Sequence, residues 1–500
     1  MTSLQSDSPA GPAETPDLPL GAPAAAAAQL RAVRERHVAH LRPELADSPS
    51  PIRGMARMVN DVVADARQLG VPEPVIAAHV VNRTIGDVDV RRITEVYNGV
   101  DYSTIGEDLG VILPGEVING RVSDGATYLE IRRRMLEFER RLLADYSFDT
   151  HIYDLSGIGN PLLRERLAAR FRDHYGVPAT AEQTFVSIGG LDAIDKSLRG
   201  FAYYFRQKYG GRVGFAFPAP GFAVPLWQAT SLDMDIINFP TREADRFQLT
   251  PETMARLLAE HPNLRVLYLT VSNNPTAFAY SPADLRAVLD VIERDGRELA
   301  ILADLAYIGT GLPEQDRARM AAFLTPETLQ RTLFVNSFSK VFTLTGDRMG
   351  YVSLANPEWA QFLTAVWNNA NAGMPGDWQL RFLAYVSLFE ERPWIQAKIR
   401  DLYTLRRDAL RAELAALNAQ YHVFEQVGID DHATVYNWSK LAPGEDIFTL
   451  FEKTGIAGVD GRGFGYTPQY IRLSVGFTPV RPEQLAAMKQ AAAGASQPPA

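Results

Sequence analysis

The chain has 500 residues, 46% of them hydrophobic and 22% charged, with a net charge of −9. That length exceeds what one compact core holds, so two or three domains are expected. The negative balance excludes a general attraction to nucleic acid or anionic membrane, and the absence of cysteine excludes disulfides, thiolate catalysis and cysteine-ligated zinc.

Residues 1–28, rich in Pro, Ala, Ser and Gly, are predicted as a disordered tail. They lack the basic start of a targeting signal, no stretch of the chain approaches the ~20 apolar residues of a membrane helix, and a cytoplasmic location is expected by default. Residues 29–149 are predicted as a helical extension and arm, helical over most of 29–96. "GMARMVNDVVADARQLG" sets Met55, Met58, Val59, Val62 and Val63 on one face, with Gly70 and Pro72 closing the helix. His37 and His40 in "RERHVAHL" read as helix surface, and no metal site is expected. Acidic and basic residues nearly balance in this region, so it is not read as a DNA-binding head, and a gene-regulator architecture is set aside. "YLEIRRRMLEFERRLLADY" is an amphipathic helix.

From residue 150 to 360 apolar runs rich in β-formers ("FVSIGG", "VGFAFPAP", "VLYLTVSN", "LAILADLAY", "TLFVNSFS") alternate with helical stretches such as "SPADLRAVLDVIERDG". This is the pattern of an α/β domain with a mostly parallel sheet covered on both faces, whose active residues gather beyond the carboxyl ends of its strands. Residues 361–485 are read as a smaller, helix-rich C-terminal α+β domain that includes "YIRLSVGF", and 486–500 as a flexible tail.

Five strand ends carry chemistry. Gly189-Gly190 precedes a helix, where close backbone approach and free N–H groups suit a phosphate, although the same pair also serves as a plain tight turn. Phe222 follows the second run and can stack on a flat ring. Asn274 precedes Pro275, which holds it extended. Asp304 ends an apolar run and needs a cation or strong donor, with Tyr307 three residues on. In "FVNSFSKVFTLTGDRMGYV", Lys340 is placed to form a Schiff base, while Ser337 and Arg348 can hold a dianion, the arginine through a forked pair of bonds. A ligand with a phosphate, a flat ring, a phenolic oxygen, a ring nitrogen and an aldehyde satisfies all five: pyridoxal phosphate.

With these residues in hand, the chain resembles the fold-type I pyridoxal-phosphate enzymes of the class I/II aminotransferase superfamily, over about residues 150–480. "SFSKVFTLTGDRMG" resembles the family signature Ser-x-x-Lys-(seven residues)-Arg, and the order Gly-Gly, aromatic, Asn-Pro, Asp-x-x-Tyr, Lys, Arg is the family order. The resemblance implies a three-layer large domain and a smaller C-terminal domain. It implies that Lys340 forms the internal aldimine and shuttles the substrate Cα proton through a quinonoid intermediate. Asp304 would keep the ring nitrogen protonated, Asn274 and Tyr307 would bind the phenolic oxygen, and Phe222 would stack on the ring. Gly189, Gly190, Leu191, Ser337, Ser339 and Arg348 would surround the phosphate, and Arg472, with Asn274 beside it, would clamp the substrate α-carboxylate. Tyr153 resembles a tyrosine lent across a homodimer interface. No nucleic-acid or membrane partner is implied, only a small amino-acid-like substrate.

Three departures bear on the reaction. Ala277 stands where the family has glycine, so that loop is expected to bend differently. No Lys or Arg occurs between Tyr351 and Leu380, where dicarboxylate-specific relatives carry a distal arginine. The long N-terminal extension resembles that of the larger relatives that decarboxylate aspartate at its β-carbon. The leading expectation is transamination of an α-amino acid. The alternative is a lyase or carbon–carbon bond-forming reaction in specialised metabolism: β/γ-elimination or replacement, possible on S-adenosylmethionine, or β-decarboxylation.

Overall fold

A computed structural model of the protein describes residues 22–46, 51–91, 93–430, 434–478, 480, 484 and 486. Most of the two predicted tails lies outside the described residues. Residues 22–28 do not: they open a helix, Ala22–Ala46, because the run Ala24–Ala28 is made of the strongest helix former.

The chain divides into two compact units, one running to Asn82 and including Phe448–Ala457, the other comprising Arg83–Ile447 and Gly458 onward. In the first, helix Ala22–Ala46 packs against helices Pro51–Gln68 and Glu73–His79. Met55, Met58, Val59 and Val62 are buried, as their spacing predicts, and Val63 is half-buried at the edge of that face. Val81–Asn82 pairs in parallel with Ile456–Ala457. Helix ends at His79 rather than continuing toward residue 96: "VVNRTIGDVDV" is crowded with β-branched residues, and its backbone runs extended and irregular.

The second unit is built on a seven-stranded sheet: β1 Thr184–Ile188, β2 Gly214–Ala219, β3 Asp235–Pro240, β4 Leu264–Thr270, β5 Ala300–Asp304, β6 Thr332–Ser337 and β7 Met349–Leu354. Their order across the sheet is β1-β7-β6-β5-β4-β2-β3. All neighbours run parallel except β7, which is antiparallel to both β6 and β1. The strands are apolar throughout rather than alternating because both faces are covered. Phe201 and Phe205 of helix Gly189–Tyr209 and Trp359 and Trp367 of helix Pro357–Asn371 pack on Phe185, Phe215 and Tyr268 in one continuous core.

A second, antiparallel sheet contains β8 Phe424–Gln426, β9 Tyr436–Leu441, β10 Val459–Asp460 and β11 Tyr470–Ser474, in the order β8-β9-β11-β10. The 28-residue helix Trp394–Tyr421 precedes it. Among the described residues no helix is long and apolar enough to cross a membrane, and no group of three or more acidic or histidine side chains is placed to hold a metal.

Candidate active site

Reversal of β7 sets the first part of the site. Because β7 is antiparallel to β1 and β6, its first residues lie beside their carboxyl ends, with Met349 opposite Ile188 and Gly350 opposite Ser337. Arg348, just before β7, is thereby held over the start of helix Gly189–Tyr209. Its Nη1 donates to Thr345 O at 3.0 Å, and a Cβ on Gly189 would meet its Nη2 at 2.7 Å. Gly189 has a φ of 75°, so this position needs glycine for both its conformation and its space. Gly190 lies beside Ser337, whose side chain a Cβ there would meet at 3.7 Å. Ser337 Oγ caps the short helix Phe338–Val341 by accepting from Ser339 N at 3.3 Å. The helix start at Gly189 and Gly190, the Ser337 side chain and the Arg348 guanidinium thus lie together as the donors of a candidate anion cradle, with Leu191 and Ser339 next along the chain.

Asp304 ends β5 and accepts a 2.5 Å hydrogen bond from Tyr268 Oη and a 2.9 Å bond from Ala306 N. Burial pushes its carboxyl above the usual aspartate value, opposed by those two donors. Tyr268 is a residue that sequence reasoning missed. β4 and β5 pair with Tyr268 opposite Leu302; two residues on, Asp304 faces the same side, so the phenol in an otherwise apolar strand is the donor that the carboxylate required. Tyr307 is buried, and its hydroxyl donates to Tyr436 Oη at 3.4 Å.

Lys340 lies on the helical turn after β6. Tyr403 Oη donates to its carbonyl at 2.6 Å, and its Nζ donates to the Gly86 carbonyl. The loop behind it is strained: the β-branched Thr343 has a φ of 55° and Arg348 one of 55°, conformations that such residues seldom adopt without a constraint.

Arg472 on β11 is 3% exposed. Its Nη1 donates to Asn274 Oδ1 at 2.9 Å and its Nη2 to Thr84 O at 2.6 Å, while Nε is buried with no hydrogen-bond partner among the described residues. The guanidinium carbon lies 4.2 Å from the ring centre of Tyr436 and 4.9 Å from that of Phe464, which fixes a cation between two aromatic faces. Thr84, Gly86, Tyr403, Tyr436 and Phe464 are the other residues that the motifs did not single out. Only the alternation of β9, which sets Tyr436 and Trp438 on one face, hints at any of them.

The structure thus brings together Gly189, Gly190, Ser337 and Arg348 at one end, and Asn274, Tyr307, Lys340 and Arg472 at the other, linked by contacts from Gly86 and Tyr436. Phe222 is part-buried on the loop after β2; that loop is tied down by Gly221 N donating to Phe464 O at 3.0 Å and Asn273 Nδ2 to Pro220 O at 3.2 Å. Tyr153 stands apart, 79% exposed between the exposed Ile152 and Leu155. Ala277 has a φ of 57°, a left-handed conformation that suits glycine, with alanine accepting the strain.

These strand ends sit on the fold of the fold-type I class of pyridoxal-phosphate enzyme. Residues 149–488 match the model of the aminotransferase class I and II family, and the chain belongs to that family, whose enzymes depend on pyridoxal phosphate. Among relatives, the aromatic-amino-acid aminotransferase 2 of Thermococcus litoralis is 25% identical over 331 residues, 63% of this chain and 78% of its own length. An aspartate aminotransferase of Pinus pinaster is 26% identical over 319 residues; the match covers 61% of this chain and 62%, less than two thirds, of that relative. The fold is shared with the aspartate aminotransferase of Thermus thermophilus solved with maleate, at a TM-score of 0.61 and 20% identity over 91% of this chain and 98% of that one. It is shared as well with that of Rhizobium meliloti, at 0.60 and 18% over 90% and 96%.

Proposed function

We propose that the protein is a pyridoxal-phosphate-dependent aminotransferase acting on an α-amino acid. The reading is supported by Asp304, Lys340 and Arg348 standing at or just beyond the ends of neighbouring strands of one sheet, with Tyr307 three residues past Asp304, within a chain whose relatives are named as aminotransferases. The donor set suits the cofactor: a glycine-lined helix start under a guanidinium for the phosphate, a carboxylate for the ring nitrogen, a phenol and an amide for the phenolic oxygen, and an amine for the aldehyde.

In this reading Lys340 would hold the group through its Nζ, and the same amine, once free, would serve as the base that takes the proton from the substrate Cα. Bound pyridoxal phosphate supplies the sink for the electrons that this proton leaves behind. Asp304, steadied by Tyr268, keeps a proton on the ring nitrogen. Arg348, Ser337, Ser339 and the amides of Gly189, Gly190 and Leu191 anchor the phosphate, and Phe222 covers the ring. Arg472, oriented by Asn274 and Thr84, receives the α-carboxylate. Residues 150–360 form the cofactor domain and 361–485 the smaller domain. Tyr153 reaches the phosphate of a second copy in a homodimer: its loop is exposed, and Leu129, Leu136 and Leu143, one heptad apart on helix Ala126–Tyr146, lie exposed in a row on the same unit. With no Lys or Arg between Tyr351 and Leu380, a distal carboxylate is not anchored from that segment.

The test is reconstitution with pyridoxal phosphate, borohydride reduction and peptide mapping, followed by incubation with amino acids and 2-oxo acids. Labelling of Lys340 and appearance of a new amino acid are expected. Labelling of another lysine overturns the site. Loss of the cofactor's absorbance band with release of ammonia or carbon dioxide, and no new amino acid, overturns transamination in favour of elimination or decarboxylation.

A further inference from the structure

Tyr436 has a phenol where packing alone calls for a phenylalanine. The residue is 3% exposed, and its ring face already serves the Arg472 guanidinium at 4.2 Å. The hydroxyl adds nothing to that contact. Two other buried phenols have close acceptors: Tyr268 Oη reaches Asp304 at 2.5 Å and Tyr403 Oη reaches Lys340 O at 2.6 Å. Among the described residues Tyr436 Oη has one hydrogen bond, the long 3.4 Å contact with Tyr307 Oη. A buried donor left so poorly satisfied costs stability unless a further partner arrives. The neighbouring backbone is shaped around it as well, since a Cβ on Gly86 would come within 1.9 Å of the Tyr436 oxygen.

We propose that Tyr436 is a positioning residue that acts through Tyr307: when Tyr307 Oη donates to the phenolic oxygen of the bound cofactor, Tyr436 Oη turns to donate to Tyr307 Oη. The inference rests on the cofactor reading above. Hydroxyl protons rotate, and once Tyr307 gives its proton to the ligand, its own oxygen is the acceptor within reach of Tyr436. A hydroxyl that accepts one hydrogen bond donates the next more strongly. The charges around Tyr436 favour that donation. Burial raises the cost of ionising it, but the Arg472 guanidinium, which stays in place when Lys340 is engaged, helps to hold its phenol below the usual tyrosine value, with Asp87 opposing. Tyr403, which also faces it, is held well above that value by burial. Tyr436 therefore strengthens the hydrogen bond that stabilises the unprotonated form of the bound cofactor, and so lowers the pH at which that form appears.

The experiment is a spectral pH titration of the reconstituted protein, which reads the cofactor's protonation and not turnover. Tyr436→Phe keeps the ring and its cation contact, and is expected to raise the midpoint by about half to one pH unit. Tyr307→Phe is expected to raise it further, and the double variant to match Tyr307→Phe alone within about 0.2 units, as a shared pathway requires. Should Tyr436→Phe bind no cofactor, difluorotyrosine at position 436, a stronger donor of the same size, is to move the midpoint down. An unchanged midpoint in Tyr436→Phe, or an undiminished shift from Tyr436→Phe on the Tyr307→Phe background, overturns the inference and leaves the cofactor reading standing. A silent Tyr307→Phe overturns the role of Tyr307, and a wild-type protein that forms no visible band overturns both.

Discussion

The anion cradle and the arginine clamp stand in the same unit but are held by different means. The cradle is local in sheet terms: Gly189, Ser337 and Arg348 sit at the ends of three adjacent strands, and the pairing of Met349 with Ile188 and of Gly350 with Ser337 sets their spacing. The clamp is assembled from afar. Arg472 bonds Asn274 across 198 residues and Thr84 across 388. The segment that brings in Thr84 and Gly86 is riveted by buried cations: Arg83 donates to Thr478 Oγ1 at 2.6 Å and Glu413 at 3.1 Å, and Arg406 pairs with Glu95 at 3.0 Å. A group placed by strand register moves only with the sheet, whereas one placed by a docked segment depends on every contact along that segment. The cradle should therefore tolerate changes around it, and the clamp should not.

The sharpest way to separate them is Arg472→Leu. A carboxylate on this guanidinium gains two charge-assisted hydrogen bonds, each about 1.5–3 kcal/mol, so their loss is expected to lower kcat/KM for the amino acid by roughly 10²- to 10⁴-fold. The affinity for pyridoxal phosphate should hold within a few-fold, because among the described residues the bonds and ring contacts of Arg472 go to Asn274, Thr84, Tyr436 and Phe464 and not to the cradle. A comparable loss of cofactor would mean that the two pockets are one cooperative structure.

Arg348→Gln probes the other side with a smaller effect. Removing one charge-assisted pair from the cradle is expected to raise the cofactor dissociation constant about 10- to 100-fold, and kcat at saturating cofactor should fall much less. Gly189, Ser337 and the helix start remain. If kcat collapses while cofactor stays bound, Arg348 does more than anchor phosphate.

The same contrast explains what could be read from the chain alone. The cradle, Asp304, Tyr307 and Lys340 were legible because each follows an apolar run within a few residues, and strand ends of a parallel sheet converge by geometry. Arg472 was found through a family resemblance, not through spacing. Thr84 and Gly86 lay in a stretch read as helix, and what they offer is backbone carbonyls, which no side-chain pattern marks. Tyr436 and Tyr268 looked like ordinary β-formers. Tyr268 becomes visible only when β4 is set beside β5, and Tyr436 only when β9 is set beside β11. Long-range register is the information that a single sequence lacks, so the half of the site built from it was the half that was missed.

Ala277 gives the finest test of how firmly the loops at the strand ends are set. It follows Asn274-Pro275-Thr276, is fully buried, and holds a φ of 57°. A left-handed alanine carries about 1–2 kcal/mol of strain, while its buried methyl group returns about 0.8 kcal/mol. Glycine relieves the first and forfeits the second, and the unfolded chain gains freedom that offsets part of the difference. Ala277→Gly is therefore expected to change stability by less than about 1 kcal/mol, on the favourable side, as read by denaturant midpoint at constant slope. The clamp should respond in kind: Asn274 starts this turn and orients Arg472, so KM for the amino acid should stay within about twofold. A large rise in KM with unchanged stability would show that the strain at Ala277 holds the Asn274 amide in place, and that the loop is part of the clamp rather than its support.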